Sequence, residues 1–334
     1  MPPPTTMTAT GVEVTAHSRL HFGLFSFGAQ PGGAQLQFGG VGAMIDRPLV
    51  RLLVVQAVDW SASGPQSDRA LEFAQRTAAG LDLPAEWRCR VTVLDAPPAH
   101  VGLGSGTQLA LAVASGVSRV ARRPLTRLED LAAFTGRARR SSVGLHGFFR
   151  GGLIVDAGKR HRDVVSPLLA RIDLPAPWRF VLLISHNEQG LHGDAEERAF
   201  AELPAVDART ATGLRHLALE ELMASASSMR YGPFCDALYQ YGRQAGMCYV
   251  DQQGGPYGSP RLERLVEAVR GLGAKGVTQS SWGPTLCVAM PSQQAAEQFA
   301  QSFRELPEAA NVEALITAPA NQGAQVRWLT PDDM

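Results

Sequence analysis

The chain has 334 residues, of which 45% are hydrophobic and 19% are charged, proportions typical of a soluble globular protein long enough for two full cores. Its 31 basic and 31 acidic side chains balance to a formal net charge of zero, which leaves no electrostatic basis for binding nucleic acid or an anionic membrane. Lysine occurs only at Lys159 and Lys275, so anion binding by side chains falls to arginine. The expected partner is therefore a small molecule.

The cysteines and the N-terminal residues carry little further signal. Cys89, Cys235, Cys248 and Cys287 form neither a Cys-x-x-Cys pair nor a Cys/His metal spacing, and we expect buried free thiols. The first residues lack the basic and apolar regions of a signal peptide, and no run reaches the ~20 apolar residues of a membrane span. We therefore expect a cytoplasmic protein that crosses no membrane.

The first half of the chain alternates predicted strands with predicted helices. Apolar residues at every second position predict strands, and apolar residues three to four apart predict helices. In chain order the elements are strands at 12–16 and 50–55, a helix at 69–81, a strand at 88–94, helices at 109–117 and 128–140, and a glycine-led strand at 151–158. This order predicts a mixed α/β domain over residues 8–165, with helices on one face of a mixed sheet.

The second half begins after the linker-like segment at residues 175–177. Its predicted elements are a strand at 180–184, helices at 194–202, 207–228, 234–247 and 261–271, two strands within 276–289, a helix at 293–304, and strands at 312–317 and 325–329. This order contains a strand-helix-strand-strand-helix-strand layer with extra helices. It predicts a ferredoxin-like second domain over residues 175–331 and an α+β fold for the chain.

A glycine-rich segment at residues 97–108 joins the strand at 88–94 to the following helix, and it contains Gly102-Leu103-Gly104-Ser105-Gly106. The start of a helix directs unpaired backbone N–H groups toward one point, and glycines let an oxyanion approach without meeting a Cβ atom. The segment therefore predicts a phosphate cradle, with a simple strand-to-helix turn as the alternative. No lysine follows as in a Walker loop, and the spacing does not fit the dinucleotide fingerprint.

Residues 98–106 resemble the Pro-x-x-x-Gly-Leu-Gly-Ser-Ser/Gly phosphate loop of the GHMP kinase superfamily. The other two hallmark motifs of that superfamily have counterparts in the same order, at Arg19-Leu20-His21-Phe22-Gly23 and at residues 280–285. The resemblance covers essentially the whole chain. It implies a two-domain GHMP kinase-like fold, with the phosphate loop in the first domain.

Within this superfamily, several strings resemble the β-ribofuranosylaminobenzene 5′-phosphate synthase family more than a kinase. The first motif has no lysine. The strings that carry the resemblance are Gly39-Gly40-Val41-Gly42 with Asp46, Gly106-Thr107-Gln108-Leu109-Ala110-Leu111, Gly144-Leu145-His146-Gly147-Phe148, Gly151-Gly152-Leu153-Ile154-Val155-Asp156 and Gln279-Ser280-Ser281-Trp282-Gly283-Pro284-Thr285.

This family resemblance implies a reaction. Phosphoribosyl pyrophosphate condenses with 4-aminobenzoate or 4-hydroxybenzoate, pyrophosphate and CO₂ leave, and a C-riboside 5′-phosphate forms on the path to methanopterin-type carriers. It also implies Mg²⁺, no organic cofactor and a homodimer. Two alternatives remain open, an ATP-dependent small-molecule kinase and a catalytically silent ligand sensor.

The motifs also suggest which residues form the site. We assign five residues to pyrophosphate binding, Gly102, Gly104, Ser105, Gly106 and Thr107, with Ser105 also on Mg²⁺ by analogy with the kinases. Further candidates for substrate binding are Arg19, Arg137, Arg140, Ser280, Ser281, Trp282 and Gly283, and Trp282 either packs internally or stacks on the aryl ring. The arginines have a simple alternative as solvated charges, at a strand end or at a helix C-terminus.

Four residues are candidates for acid/base or metal-linked chemistry. His21 lies in the first motif, and His146 stands between glycines, where a side chain is displayed more than packed. Asp46 and Asp156 each follow an apolar run with a glycine turn nearby. The alternatives are a satisfied core histidine and a turn-capping aspartate.

Overall fold

A computed structural model describes residues 11–28, 36–123, 125, 127–160, 163–185, 190 and 193–330. The strands are β1 (Gly11–Leu24), β2 (Gly40–Ala57), β3 (Ser61–Ser63), β4 (Arg88–Asp95), β5 (Leu153–Asp156), β6 (Leu168–Ile172), β7 (Arg179–Ser185), β8 (Val277–Gln279), β9 (Thr285–Met290), β10 (Val312–Thr317) and β11 (Gln325–Trp328). They form two sheets, and the predicted α+β class is confirmed.

The α-helices are α1 (Ser67–Gly80), α2 (Ser105–Val120), α3 (Leu128–Thr135), α4 (Val143–Arg150), α5 (Gly193–Glu202), α6 (Ala208–His216), α7 (Ala224–Ser227), α8 (Tyr231–Met247), α9 (Val250–Gln253), α10 (Pro260–Gly271) and α11 (Gln293–Arg304). A π-helical segment, Leu217–Met223, joins α6 to α7, and a 3₁₀ turn spans Pro307–Ala309. Among the described residues, no helix is both long and apolar enough to cross a membrane.

The first sheet has the strand order β11-β1-β2-β4-β3, and β5 and β6 extend it beside the N-terminal part of β2. Strand β2 pairs with β5 over Gly40–Ala43 and with β4 over Arg51–Ala57, so one long strand holds both parts of the sheet. Only β3 and β4 pair in parallel among the described strands, which makes the sheet mixed as predicted.

Helix α2 packs across this sheet and is buried along most of its length. Its run of Leu, Ala and Val side chains joins the core formed by β1, β2 and β4. At Gly116 the helix lies so close to the sheet that a Cβ atom would be 2.5 Å from a methyl group of Val54. Close packing along α2 therefore fixes where the helix begins, at Ser105, relative to β1.

The second sheet has the order β10-β7-β9-β8 with all neighbouring strands antiparallel. This order, with α10 and α11 packed on one face, confirms the predicted ferredoxin-like layer. Strand β7 shows the period-2 pattern of a strand buried on both faces. Val181 and Leu183 pack against α10 and α11, whereas Phe180 and Leu182 lie in a core shared with β1, β5 and α8.

The structure corrects several predicted elements. The predicted helix at 128–140 ends at Thr135, because Gly136 takes a left-handed conformation (φ 65°) that stops the helix. Residues 143–150, to which the sequence analysis assigned no element, form α4. The final strand was predicted in the second domain, but β11 pairs with β1 in the first sheet, where Arg327 contacts Glu13.

The cysteines are free thiols, and Cys89, Cys235 and Cys287 are buried. The predicted division between residues 165 and 175 stays a prediction. Strand β6 occupies most of that interval and belongs to the first sheet.

We expect Tyr241→Phe to lower the free energy of unfolding by about 1–2 kcal/mol. Tyr241 is fully buried, and its hydroxyl donates a 2.9 Å hydrogen bond to the carbonyl oxygen of Gly23, which ties α8 to the end of β1. Urea denaturation measures the change. Tyr239→Phe is the control, since no hydrogen bond of its hydroxyl is found in the described residues, and an equal loss in both variants would contradict the assignment.

Candidate functional site

A cavity of about 400 Å³ lies where the two sheets meet. Segments from all three sequence motifs line it, together with residues of the 136–141 segment, α5 and α8. From the predicted site residues, the lining includes Arg19, His21, Gly102, Gly104, Ser105, Gly106, Thr107, Arg137, Arg140, Ser281, Trp282 and Gly283. The predicted residues outside the lining are Asp46, His146, Asp156 and Ser280.

The phosphate loop turns directly into α2. Gly104 has φ 68°, a left-handed conformation that glycine adopts without strain, and the helix begins at Ser105, four residues before its predicted start. The amides of Thr107 and Gln108 both donate 3.0 Å hydrogen bonds to the carbonyl oxygen of Gly104. The amides of Ser105 and Gly106 come before the first intrahelical bond, so they stand at the positive end of the helix dipole. This is a suitable geometry for an anion.

Ser280 joins the three motifs to one another. Its hydroxyl donates a 2.7 Å hydrogen bond to the carbonyl oxygen of Gly102 and accepts a 3.1 Å hydrogen bond from the amide of His21. Ser280 is fully buried and is not part of the cavity lining, but both of its hydrogen-bond partners are, so it positions the site. Its predicted substrate contact stays a prediction.

Arg19 and His21 lie on one face of β1, as the period-2 geometry of a strand requires. Arg19 crosses the phosphate loop: a Cβ atom on Gly104 would be 3.1 Å from its Nε, and this Nε is buried with no hydrogen-bond partner in the described residues. Burial lowers the pKa of the Arg19 guanidinium to about 10, so the group stays charged at neutral pH. Buried donors are normally hydrogen-bonded, so the unpaired Nε of Arg19 beside this cradle indicates that a bound anion accepts its hydrogen bond.

His21 is neutral at physiological pH. Burial, followed by the charges of Arg19 and Arg140, lowers the pKa of its imidazole well below the ordinary value. Its Nε2 is buried and finds no hydrogen-bond partner in the described part of the chain. His21 is therefore a hydrogen-bonding group for a ligand on the cavity wall and adds no positive charge.

A pair of arginines stands at the head of α2. Arg137 was predicted, but Arg69, at the start of α1, was not assigned to the site by sequence analysis. A Cβ atom on Gly106 would be within 3.5 Å of the Nη2 atoms of both, so the two guanidinium groups converge on this glycine. No local signal could have identified Arg69, because in sequence it is an ordinary polar residue of an amphipathic helix. Its role depends on how α1 packs on α2.

An aromatic group forms another part of the cavity lining. Trp282 and Phe200 stack with ring centroids 4.7 Å apart, and Tyr249 meets Trp282 edge-on at 5.1 Å. Arg140 lies over the Phe200 ring at 4.3 Å and forms a 2.8 Å ion pair with Glu196. The aromatic rings make this part of the lining apolar, and the charge of Arg140 is already neutralised by Glu196.

The three other predicted catalytic residues, Asp46, His146 and Asp156, lie outside the cavity lining and have hydrogen-bond partners within the protein. Asp46 accepts hydrogen bonds from Thr317 Oγ1 (2.7 Å) and the amide of Ala318 (2.9 Å), which fastens the end of β10 to β2. His146 is buried, and its Nε2 lies 2.8 Å from the carbonyl oxygen of Ser166. Since neither side chain lines the cavity, their predicted catalytic roles are not supported by their positions.

Asp156 organises the loop beside the cavity. Its buried carboxylate accepts hydrogen bonds from the amides of Gly40 (2.9 Å) and Ser142 (2.6 Å) and from the hydroxyl of Ser141 (2.8 Å). Burial raises the pKa of this carboxyl to about 6, although the hydrogen bonds oppose the change. Asp156 therefore holds the loop beside the cavity, and its predicted acid/base role stays a prediction.

The described residues contain no group of three or more His, Cys, Asp or Glu side chains that could hold a metal ion. The Ser105 hydroxyl is an oxygen donor on the cavity wall at the head of α2. Mg²⁺ usually keeps several waters and is often bound through substrate phosphates and one or two protein ligands. The residues present fit Mg²⁺ carried by a phosphorylated ligand, with Ser105 as a protein contact.

We expect Asp156→Asn to remove one pH-dependent contribution to stability. The folded-state pKa of about 6 lies above the ordinary value of 3.8, so the folded protein holds this proton more tightly than the unfolded chain. The stabilisation is complete below pH 3.8 and is lost as the pH rises through 6. The unfolding free energy of the wild type relative to the variant should fall by about 2 kcal/mol between pH 4 and pH 7. Urea titrations measure this, and a constant difference would contradict the raised pKa.

Comparisons with known proteins agree with this site. A family model described as GHMP kinases C terminal matches residues 233–309. Among solved structures, the homoserine kinase from Cytophaga hutchinsonii superposes with a TM-score of 0.62 at 15% identity, covering 97% of this chain and 99% of the kinase. The mevalonate diphosphate decarboxylase from Staphylococcus aureus gives 0.63 at 11% identity, covering 96% and 98%. These similarities show the GHMP kinase-like fold.

Two curated proteins named β-ribofuranosylphenol 5′-phosphate synthase show a closer relationship in sequence. The one from Methanothermobacter thermautotrophicus is 27% identical over 295 residues, covering 82% of this chain and 87% of the relative. The one from Archaeoglobus fulgidus is 26% identical over 325 residues, covering 92% and 97%. The resemblance carried by the motifs is thus confirmed: the chain is an enzyme that is similar over most of its length to β-ribofuranosylphenol 5′-phosphate synthases and that carries a GHMP kinase C-terminal region.

Proposed function

We propose that this enzyme is a phosphoribosyl-transferring transferase that condenses phosphoribosyl pyrophosphate with 4-aminobenzoate or 4-hydroxybenzoate. Pyrophosphate and CO₂ leave, and a C-riboside 5′-phosphate forms for tetrahydromethanopterin biosynthesis. The observation that carries the proposal is one cavity whose lining combines a cationic helix start with an aromatic group. Two anionic substrates, one of them aromatic, match these two parts of the lining.

The bond changes in this reaction balance without a redox cofactor. The bond from the ribose anomeric carbon to pyrophosphate breaks, and its electron pair leaves with pyrophosphate. The ring carbon that bears the carboxylate bonds to the anomeric carbon, and CO₂ departs while the electrons of its bond restore the aromatic ring. The amino or hydroxyl group in the para position donates electrons to the attacking carbon.

The phosphate loop is suited to the departing pyrophosphate. Backbone amides aimed at developing negative charge are effective because they need no reorganisation during the reaction. Those of Ser105 and Gly106, with the Arg19 guanidinium beside Gly104, stabilise the leaving group in this proposal. Mg²⁺, held by the substrate and Ser105, would supply further neutralisation of pyrophosphate.

The aromatic part of the lining is suited to a benzoate that must lose its carboxylate. A firm carboxylate clamp would stabilise the ground state and oppose the loss of CO₂. Arg140 is already paired with Glu196 and covered by Phe200, so its attraction for a substrate carboxylate is weakened. Trp282 and Phe200 offer ring contacts in its place. This part of the lining therefore binds the ring more than the acid group.

Three features of this proposal come from family resemblance and composition. The enzyme is a cytoplasmic homodimer, it uses Mg²⁺ and no organic cofactor, and its partners are its small-molecule substrates and not nucleic acid or membrane. The balanced formal charge supports the last point.

The direct test uses benzoates labelled with ¹⁴C in the carboxyl group. With phosphoribosyl pyrophosphate and Mg²⁺, labelled CO₂ should be released from 4-aminobenzoate, 4-hydroxybenzoate or both, together with pyrophosphate. Omitting phosphoribosyl pyrophosphate is the control and should stop release. Transfer of phosphate from ATP to a small molecule, with no label released from either benzoate, would instead support the kinase alternative.

We expect Gly104→Val to abolish binding of phosphoribosyl pyrophosphate while the fold survives. The residue has φ 68°, which valine adopts only with strain of about 1–3 kcal/mol. A Cβ atom there would also stand 3.1 Å from Arg19 Nε and disturb the cradle. Titration calorimetry should show at least a tenfold loss of affinity.

Gly213→Val is the matched control, because a Cβ atom at Gly213 meets nothing within 4 Å among the described residues. It should bind like the wild type. Wild-type affinity in a folded Gly104→Val protein would show that the loop is only a strand-to-helix turn.

A further inference from the structure

We infer that Arg69 and Arg137 form a clamp for one of the two phosphates of the substrate's pyrophosphate group. This makes Arg69, a residue of α1 outside the three motifs, a substrate-binding residue that sets the preference for pyrophosphate over a single phosphate. The inference rests on the proposed function and adds the position of each phosphate to it.

The two guanidinium groups meet at one point above the phosphate loop. A Cβ atom on Gly106 would lie 3.5 Å from Arg137 Nη2 and closer still, at 2.4 Å, to Arg69 Nη2. Both arginines line the cavity. Gly106 is therefore the residue over which the Arg69 side chain passes, and its amide lies at the same end of α2 as the two cations.

Two hydrogen bonds through Gln66 hold the Arg69 side chain in place. Its Nη1 donates a 2.7 Å hydrogen bond to Gln66 Oε1, and Gln66 Nε2 donates a 3.0 Å hydrogen bond to the carbonyl oxygen of Pro97, at the base of the phosphate loop. The Cζ atoms of Arg69 and Arg137 lie over the buried Phe73 ring, 5.9 Å and 5.3 Å from its centroid. The clamp is thus preorganised, which reduces the entropy lost on binding.

The positive charge of this pair is compensated only in part, by the more distant carboxylates of Glu72 and Glu196. Neither arginine forms an ion pair within the described part of the chain, whereas Arg139 and Arg140 pair with Glu197 and Glu196. Burial and the neighbouring charges of Arg69 and Arg76 lower the pKa of the Arg137 guanidinium to about 10. Its Nε is also buried and, among the described residues, has no acceptor. An anion would relieve both the repulsion and the unsatisfied donor.

Two cationic groups stand at the two ends of the loop. Arg19 lies against Gly104, and the Arg69–Arg137 pair lies against Gly106. A single phosphate engages one group, whereas a pyrophosphate spans both. One phosphate then lies at Arg19, and the other lies between Arg69 and Arg137.

The test compares Arg69→Gln with Arg304→Gln. Arg304 is an exposed helical arginine, at the end of α11, and is not part of the cavity lining, so it is a matched control. Titration calorimetry with inorganic pyrophosphate and with inorganic phosphate, both with Mg²⁺, gives the two affinities. Arg69→Gln should lose at least tenfold in pyrophosphate affinity and less than about threefold in phosphate affinity. Arg304→Gln should bind both like the wild type.

Steady-state kinetics gives an independent measurement. Arg69→Gln should raise the KM for phosphoribosyl pyrophosphate and leave the KM for the benzoate unchanged. Arg69→Lys retains the charge without the planar fork and should give an intermediate pyrophosphate affinity, so it also serves if Arg69→Gln does not fold.

Two results would overturn the clamp alone: wild-type pyrophosphate affinity in Arg69→Gln, or equal losses for phosphate and pyrophosphate. In both cases label release by the wild type would leave the proposed function standing. A wild-type protein that binds neither pyrophosphate nor phosphoribosyl pyrophosphate would overturn the clamp and the proposed function together.

Discussion

The hydroxyl of Ser280 is the contact on which the geometry of the site depends. It donates a hydrogen bond to the carbonyl oxygen of Gly102 and accepts one from the amide of His21. One buried side chain therefore links the strand that carries Arg19 to the phosphate loop and to β8. Thr285 adds a 2.6 Å hydrogen bond to the carbonyl oxygen of Val101. Since buried polar groups are costly when unpaired, these contacts favour a single arrangement of the three motifs.

The motif glycines satisfy different physical requirements. Gly104 is needed for a left-handed conformation at the start of α2. Gly283 is needed for close approach, since a Cβ atom there would lie 2.3 Å from the Cα atom of Gly102. Gly106 provides the space that the Arg69 guanidinium occupies. A pattern that looks uniform in sequence therefore combines backbone conformation, interdomain packing and access for a cation.

Charge is distributed unevenly around the cavity. On the α5 side, Glu196 and Glu197 neutralise Arg140 and Arg139, and aromatic rings cover the surface. On the α2 side, Arg19, Arg69 and Arg137 form no ion pair in the described residues, and the helix dipole adds to their field. One part of the cavity lining is thus suited to an anion and another part to an apolar ring.

The sequence by itself determined the phosphate loop, the α+β class and the ferredoxin-like layer, because each depends on local backbone chemistry or on periodicity within one element. It could not separate His21, which lines the cavity, from His146 and Asp156, which support it. Nor could it distinguish Arg69 from any exposed helical arginine. These distinctions depend on burial and on partners distant in sequence, such as Thr317 for Asp46, 271 positions away. Only the packing of β1, α1 and α2 decided which polar side chains face the cavity, because packing determines which of them are left without a partner inside the protein.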